Sequence, residues 1–187
     1  MTVVVRGTDL LIAPPGLPDP RFRNTVLMLT HNQRSGSFAL CVNKPTKWCL
    51  DDVVTADDIE VDYLPRVPVF WGGPVSPSSL WMMHSAEWST KHTVSLDSNW
   101  AMTSDAEMFQ ALAAADFPQH FRIVMGYCSW APNQLQGELE GRAPWSKDHS
   151  WLVAHNLGPE WLFEQDPDDL WANATTLSGH QAVSSWL

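Results

Sequence analysis

Cys128 and Ser129, set between Tyr127 and Trp130, are the residues of this chain whose types most directly offer covalent chemistry. A nucleophile there would need a base and an orienting group, for which His31 or His84 and Asn43 are the candidates. Two features weigh against it. The Gly-x-Ser-x-Gly elbow is absent, and no spacing ties either histidine to the cysteine. A small cysteine after an apolar strand is most often a core residue. His31, His84, Cys41 and Cys128 could assemble a zinc site if their strands are neighbours, but no single element carries ligands at metal spacing. His149 and His155 fit no helical pair and read as surface residues.

Two polar turns could bind rather than react. Gly72-Gly73-Pro74 could present backbone N–H groups to a phosphate, yet it lacks the Lys-Ser/Thr that completes a nucleotide loop, and a structural turn is the simpler reading. Asn43-Lys44-Pro45 lies at a strand end and serves either as a turn lock or as a ligand contact.

The elements that must position these groups centre on Phe121 to Trp145. Phe121, Ile123, Val124 and Met125 form an apolar run suited to a buried strand, which Gly126 is expected to end. Tyr127 and Trp130 flank the following turn. A helix is predicted from Asn133, with the Asn133 side chain as its cap and Gln136 reaching back. Leu135 and Leu139 give it an inward face, and Gly141 can close it. Strand, aromatic turn and helix form a rigid corner suited to recognition.

Upstream, Thr8–Ala13 reads as a short strand stopped by Pro14 and Pro15, and Asp19-Pro20 as the start of a brief helical turn through Phe22. Asn24–His31 is apolar on both faces and so central; after the polar turn Asn32–Gly36, Ser37–Asn43 completes a hairpin. Lys44-Pro45-Thr46 is expected to leave the sheet, Cys49–Asp57 to form a short helix, and the acidic stretch through Asp62 to be loop. Val67–Trp71 and Leu80–His84 read as strands joined by the glycine turn and a Ser76–Ser79 loop. Thr93–Leu96 and Trp100–Thr103 read as a hairpin pair. Ser104–Ala115 reads as a helix capped by Ser104 and Glu107. Ser150–Ala154 is expected to be a strand, and Asp166-Pro167 to open a last helix with Leu170, Ala174 and Leu177 inward and Gly179 as its stop. Strands first, with helices threaded among mixed connections, make the class α+β, in one domain over residues 1–187.

Composition narrows the function. A net charge of -10 argues against tight general binding to nucleic acid, because phosphate contacts supply most of that affinity. The charge is uneven: residues 1–47 hold six Lys/Arg against Asp9 and Asp19, a balance of +4, and the rest of the chain a balance of -14. This leaves a direct DNA contact through the basic quarter as one alternative and charges scattered on a solvated surface as the blander one. No run of about 18 apolar residues is present, so no transmembrane helix is expected. The first thirteen residues make a poor signal peptide, and the three cysteines without a CxxC spacing suggest free thiols in the cytoplasm. Eleven tryptophans are many for 187 residues; most fit core packing, and an exposed subset would argue for a protein partner.

Four blocks in order along the chain resemble the AlgH/YqgE family of bacterial proteins, often labelled transcriptional regulators. They are Leu11-Ile12-Ala13-Pro14 through Asp19-Pro20-Arg21-Phe22 with Thr25-Val26 and His31-Asn32; Val42-Asn43-Lys44-Pro45-Thr46; Gly72-Gly73-Pro74-Val75 with His84; and Gly126-Tyr127, Trp130, Gln134-Leu135, Glu138 and Trp145, backed by Leu162-Phe163 and Leu170-Trp171. The resemblance implies a bifurcated, partly barrel-like sheet surrounded by helices, and it brings no catalytic residue, metal or cofactor. Three positions usually glycine in the family hold Ala39, Ser129 and Asn133 here. The reading that follows is a non-enzymatic binding or regulatory protein whose protein partner meets His31, Asn32, Asn43, Gly72, Gly73, Tyr127, Trp130, Gln134 and Glu138. A small enzyme using Cys128 is the other alternative.

Overall fold

The computed structural model describes residues 4–33, 35–54, 59, 61–155 and 157–184, with Asn32 and Gln33 described by backbone alone. Its strands are β1 (Leu10–Ile12), β2 (Val26–Gln33), β3 (Gly36–Cys41), β4 (Pro45–Cys49), β5 (Pro68–Trp71), β6 (Val75–Ser85), β7 (Val94–Ser95), β8 (Trp100–Thr103), β9 (Phe121–Trp130) and β10 (Leu152–Ala154). The helices are α1 (Leu50–Val53), α2 (Glu107–Ala113), α3 (Gln134–Glu140), α4 (Pro159–Phe163) and α5 (Pro167–Ser184). The class is α+β, and the sheet curls into a half-barrel.

The sheet forks at β9. The main path runs β10-β1-β2-β3-β9-β6-β8-β7, and the pair β4-β5 branches from it. Along one edge of β9, Val69 to Trp71 of β5 pair in parallel with Ile123 to Met125, and further on Ser37 to Ala39 of β3 pair antiparallel with Trp130 to Cys128. Antiparallel β6 holds the other edge.

The apolar runs are continuous because both faces of the sheet are covered. On one face Leu10, Ile12, Val26, Met28, Leu40 and Val42 pack against Leu162, Leu170 and Ala174 from α4 and α5. On the other, Leu11, Leu27, Leu29, Ala39, Cys41 and Cys128 pack against Leu135 and Leu139 of α3 and against Trp151. A third cluster seats Leu50, Met108 and Leu112 of the short helices on Val69, Met82 and Ile123. Arg122 is an interior cation: it lies between the rings of Phe70 and Phe163, 4.4 and 4.9 Å away, and donates to the Val42 carbonyl. Burial pulls its pKa down to about 10.

Several expectations need correction. Lys44-Pro45-Thr46 does not leave the sheet: β4 starts at Pro45 and pairs with β5 alone, and an edge strand tolerates a proline. Ser76–Ser79 belongs to β6, whose register against β9 shifts between Val75 and Leu80. Gly126 interrupts no strand. It takes φ 76° within β9, and a side chain there would meet the Gly73 carbonyl at 2.4 Å.

The helix caps also differ. Ser104 does not cap α2, which begins at Glu107; the Asp105 carboxylate accepts the Met108 N–H at 3.2 Å instead. Asn133 precedes α3 in the left-handed region, φ 64°, without a side-chain capping bond, and Gln136 bonds Glu140 rather than reaching back. Gly179 does not stop α5, which continues to Ser184. Of the expected acidic loop, residues 55–58 and 60 lie outside the described residues, as does Arg34 of the polar turn. Ala39 and Ser129 sit in strands without positive φ, so only Asn133 among the three replaced glycines carries a left-handed backbone.

Candidate functional site

The end of β9, helix α3 and the segment Asp19–Phe22 enclose a groove of about 520 Å³, a volume typical of small binding sites. Trp130, Trp145 and Trp151 line it, with Phe22, Gln134 and Glu138. Three elements converge because each carries an apolar anchor into the same core. Trp130 and Trp151 are nearly buried, Leu135 and Leu139 fix α3, and Phe22 meets the rings of Trp71 and Trp151 edge-on at 5.8 and 5.9 Å.

Glu138 organises the polar part. Its Oε2 accepts the indole N–H of Trp130 at 2.9 Å and that of Trp151 at 2.8 Å, and its Oε1 accepts Gln134 Nε2 at 3.0 Å. Gln134 Oε1 in turn accepts the Ala131 N–H at 3.0 Å, tying the first turn of α3 to the end of β9. The two indoles stand perpendicular, 84° apart, with centroids 6.3 Å apart. A network whose members each have a partner is rigid.

Trp145 closes one side and is 37% exposed. It reaches α3 only because residue 137 is glycine: a Cβ there would lie 2.8 Å from its Cζ3. Opposite, Asp19 and Arg21 form a forked pair at 2.7–3.2 Å. The hydrogen bond from Arg21 holds the Asp19 carboxyl below its usual range and raises the guanidinium pKa in return.

Of the residues expected at the surface, the structure brings Trp130, Gln134 and Glu138 together and puts the others elsewhere. Tyr127 points to the opposite face, stacked on Phe38 at 4.5 Å and edge-on to Trp81 at 6.1 Å. Asn43 is a lock: its Oδ1 accepts the Val26 N–H at 2.8 Å and its Nδ2 donates to the Asn24 carbonyl at 2.9 Å. His31 is exposed at the far end of β2, and the Asn32 side chain lies outside the described residues. Gly72 spends its N–H on the Met125 carbonyl at 2.7 Å, and a Cβ on Gly73 would sit 2.1 Å from the Tyr127 carbonyl carbon. These glycines let two strands touch, which leaves the phosphate cradle without its Gly72 donor.

The covalent alternative meets a buried thiol. Cys128 is 2% exposed and donates to the Gly72 carbonyl at 3.5 Å, and burial pushes its pKa far up, opposite to what a thiolate nucleophile needs. The proposed zinc ligands do not meet. His84 is buried on β6 between Thr103 Oγ1 at 2.9 Å and the Ser85 carbonyl at 3.0 Å, and among the described residues only Cys49, Asp51 and Asp52 cluster as possible ligands. Sequence reasoning missed Trp151, Phe22 and the Asp19–Arg21 pair as groove residues. The helical-turn signal at Asp19-Pro20 was visible, but not where it packs.

The fold and groove define a small α+β protein with a forked half-barrel sheet and an indole-lined cleft at its central strand. The AlgH-like family model (DUF179) matches residues 10–183, and the chain belongs to that family. A UPF0301 protein of Methylococcus capsulatus is 30% identical over 175 residues, covering 92% of this chain and 89% of the relative. One from Ralstonia nicotianae is 30% identical over 173 residues, covering 91% and 87%. The solution structure of AlgH from Pseudomonas aeruginosa superposes with a TM-score of 0.74 at 27% identity, over 96% of this chain and 93% of AlgH. A protein from Corynebacterium diphtheriae shares the fold, with a TM-score of 0.69 at 18% identity over 92% and 87%.

Proposed function

We propose that the chain is a non-enzymatic binding protein, regulatory in effect, that engages a polypeptide partner through the groove at Trp130, Gln134, Glu138 and Trp145. The observation that carries this reading is the convergence of two indole N–H groups and one amide on Glu138. It holds aromatic walls in place before any partner arrives, and preorganised aromatic anchors are what tight protein contacts use. Burial of Cys128 speaks against the enzyme alternative. The net charge of -10 and the pairing of Arg21 with Asp19 speak against direct DNA contact. Among the described residues no helix is long and apolar enough to cross a membrane, and the three free cysteines fit the cytoplasm as the place of action.

Affinity capture from host lysate, with and without nuclease, tests the proposal when wild type is run beside the Gln134→Ala/Trp145→Ala double variant. A stoichiometric protein that survives nuclease and is lost with the variant is expected. Retention of every captured protein by the folded variant would remove the groove from the interaction, and capture only through nucleic acid would favour the DNA reading.

A further inference from the structure

The chemistry of the groove specifies the group it takes. Three formal charges line it, and two of them, Asp19 and Arg21, neutralise each other through their forked pair. Glu138 has no such partner: among the described residues, what it accepts are neutral N–H groups from Trp130, Trp151 and Gln134. Two of the three fall on Oε2, so Oε1 retains acceptor capacity. The groove thus holds one negative charge balanced by dipoles rather than by a cation, in an aromatic surround.

The walls favour the same sign. Indole faces are negative, and tryptophan is the ring that attracts cations best. Trp145 keeps more than a third of its surface open beside this carboxylate. The groove already shows the arrangement at its rim, where Arg21 carries its guanidinium 5.7 Å from the Phe22 ring centroid with the Asp19 carboxylate as partner. A second cation seated between Trp145 and Glu138 would repeat that pattern, and the net charge of -10 would draw it in.

We infer that the groove takes a basic side chain, lysine or arginine, from the partner polypeptide. This rests on the groove being the partner surface, and it names the group that enters. The test uses the whole ¹⁵N-labelled protein and the peptide acetyl-Lys-Gly-Lys-Gly-Lys-amide, beside the same peptide with its lysines acetylated. The indole N–H resonances of Trp130, Trp145 and Trp151 report occupancy. The charged peptide is expected to shift them, with affinity falling as salt rises, and the acetylated one to leave them in place. Affinity should weaken about tenfold in Glu138→Gln, which keeps an acceptor for the indoles, and similarly in Trp145→Ala, which keeps Glu138. Glu160→Gln, which removes one exposed charge outside the groove, should bind as wild type does.

Equal binding of the acetylated peptide, undiminished binding by both groove variants, or no indole shift at all would overturn the inference. Failure of the broader reading looks different. A partner lost from the Gln134→Ala/Trp145→Ala variant while the lysine peptide stays unbound sinks the charge preference alone, whereas a partner retained by that variant sinks the groove itself.

Discussion

The indole N–H of Trp130 ends on Oε2 of Glu138 at 2.9 Å, which ties the last residue of β9 to the middle of α3. The bond does structural work as well as shaping the groove, because the same oxygen holds Trp151 at 2.8 Å. Glu138→Leu would leave two largely buried donors without an acceptor. A loss of about 2–4 kcal/mol in urea unfolding is expected, against about 1 kcal/mol for Glu138→Gln. Equal losses for both would show that the indoles do not depend on this acceptor.

Two glycines should respond differently to a methyl group. At Gly137 the obstacle is the Trp145 ring, which can swing into solvent, so Gly137→Ala should fold, red-shift the tryptophan emission and lose groove binding. At Gly73 the obstacle is the Tyr127 backbone carbonyl, fixed inside the sheet. Gly73→Ala should cost more than about 3 kcal/mol or yield no folded protein, as read by circular dichroism and thermal unfolding.

Thiol reactivity should sort by burial. Cys41 is fully enclosed and its pKa is pushed up to about 12 by burial, and Cys128 is shifted in the same direction. Cys49 is only half-buried at the start of α1. In a native titration with a disulfide reagent near pH 8, one equivalent should react quickly and map to Cys49, with the others following only as the protein unfolds. Fast labelling of Cys128 would reopen the nucleophile alternative.

His84 makes stability sensitive to mild acid. Burial, its largest influence, lowers its pKa, because the charged ring would lose solvent, and this outweighs the Ser85 carbonyl and Glu87, which favour the charged ring. The unfolded chain therefore binds a proton first, near pH 6.5, while the folded chain resists. Stability from this group is intact above that pH and declines as pH falls toward the lowered folded value. His84→Gln should show a smaller drop in melting temperature between pH 7 and pH 5 than wild type. An identical slope would mean that other histidines dominate.

The elements legible in the sequence were those whose signals are local. The hairpin β2–β3 showed as two apolar runs around a polar turn, and Leu135, Leu139 and Gly141 marked α3 and its end. What escaped depended on distant neighbours. Pro45 reads as a strand breaker until the single-sided pairing of β4 is known, and Gly126 reads as a strand end until Gly73 is seen to press against it. The groove was half visible for the same reason. Trp130, Gln134 and Glu138 lie within one turn-helix unit, whereas Phe22 arrives from near the start of the chain and Trp151 from the segment beyond the helix. Tyr127 and Trp130 are three apart on one strand and so face opposite sides, a parity hidden as long as the strand was taken to end at Gly126.

The fork at β9 also sets the order in which this protein can assemble on the ribosome. Strand β5 waits for Ile123 to Met125, and β3 waits for Cys128 to Trp130, before either has its second neighbour. Until residue 130 has left the exit tunnel, the β2–β3 hairpin and the β4–β5 pair each lack their β9 neighbour and keep an open edge. Such edges invite wrong partners, and contacts this distant along the chain form slowly. The groove is therefore among the last features to appear, since one wall is the end of β9 itself, and α3 and Trp151 are made after the strand that closes the sheet.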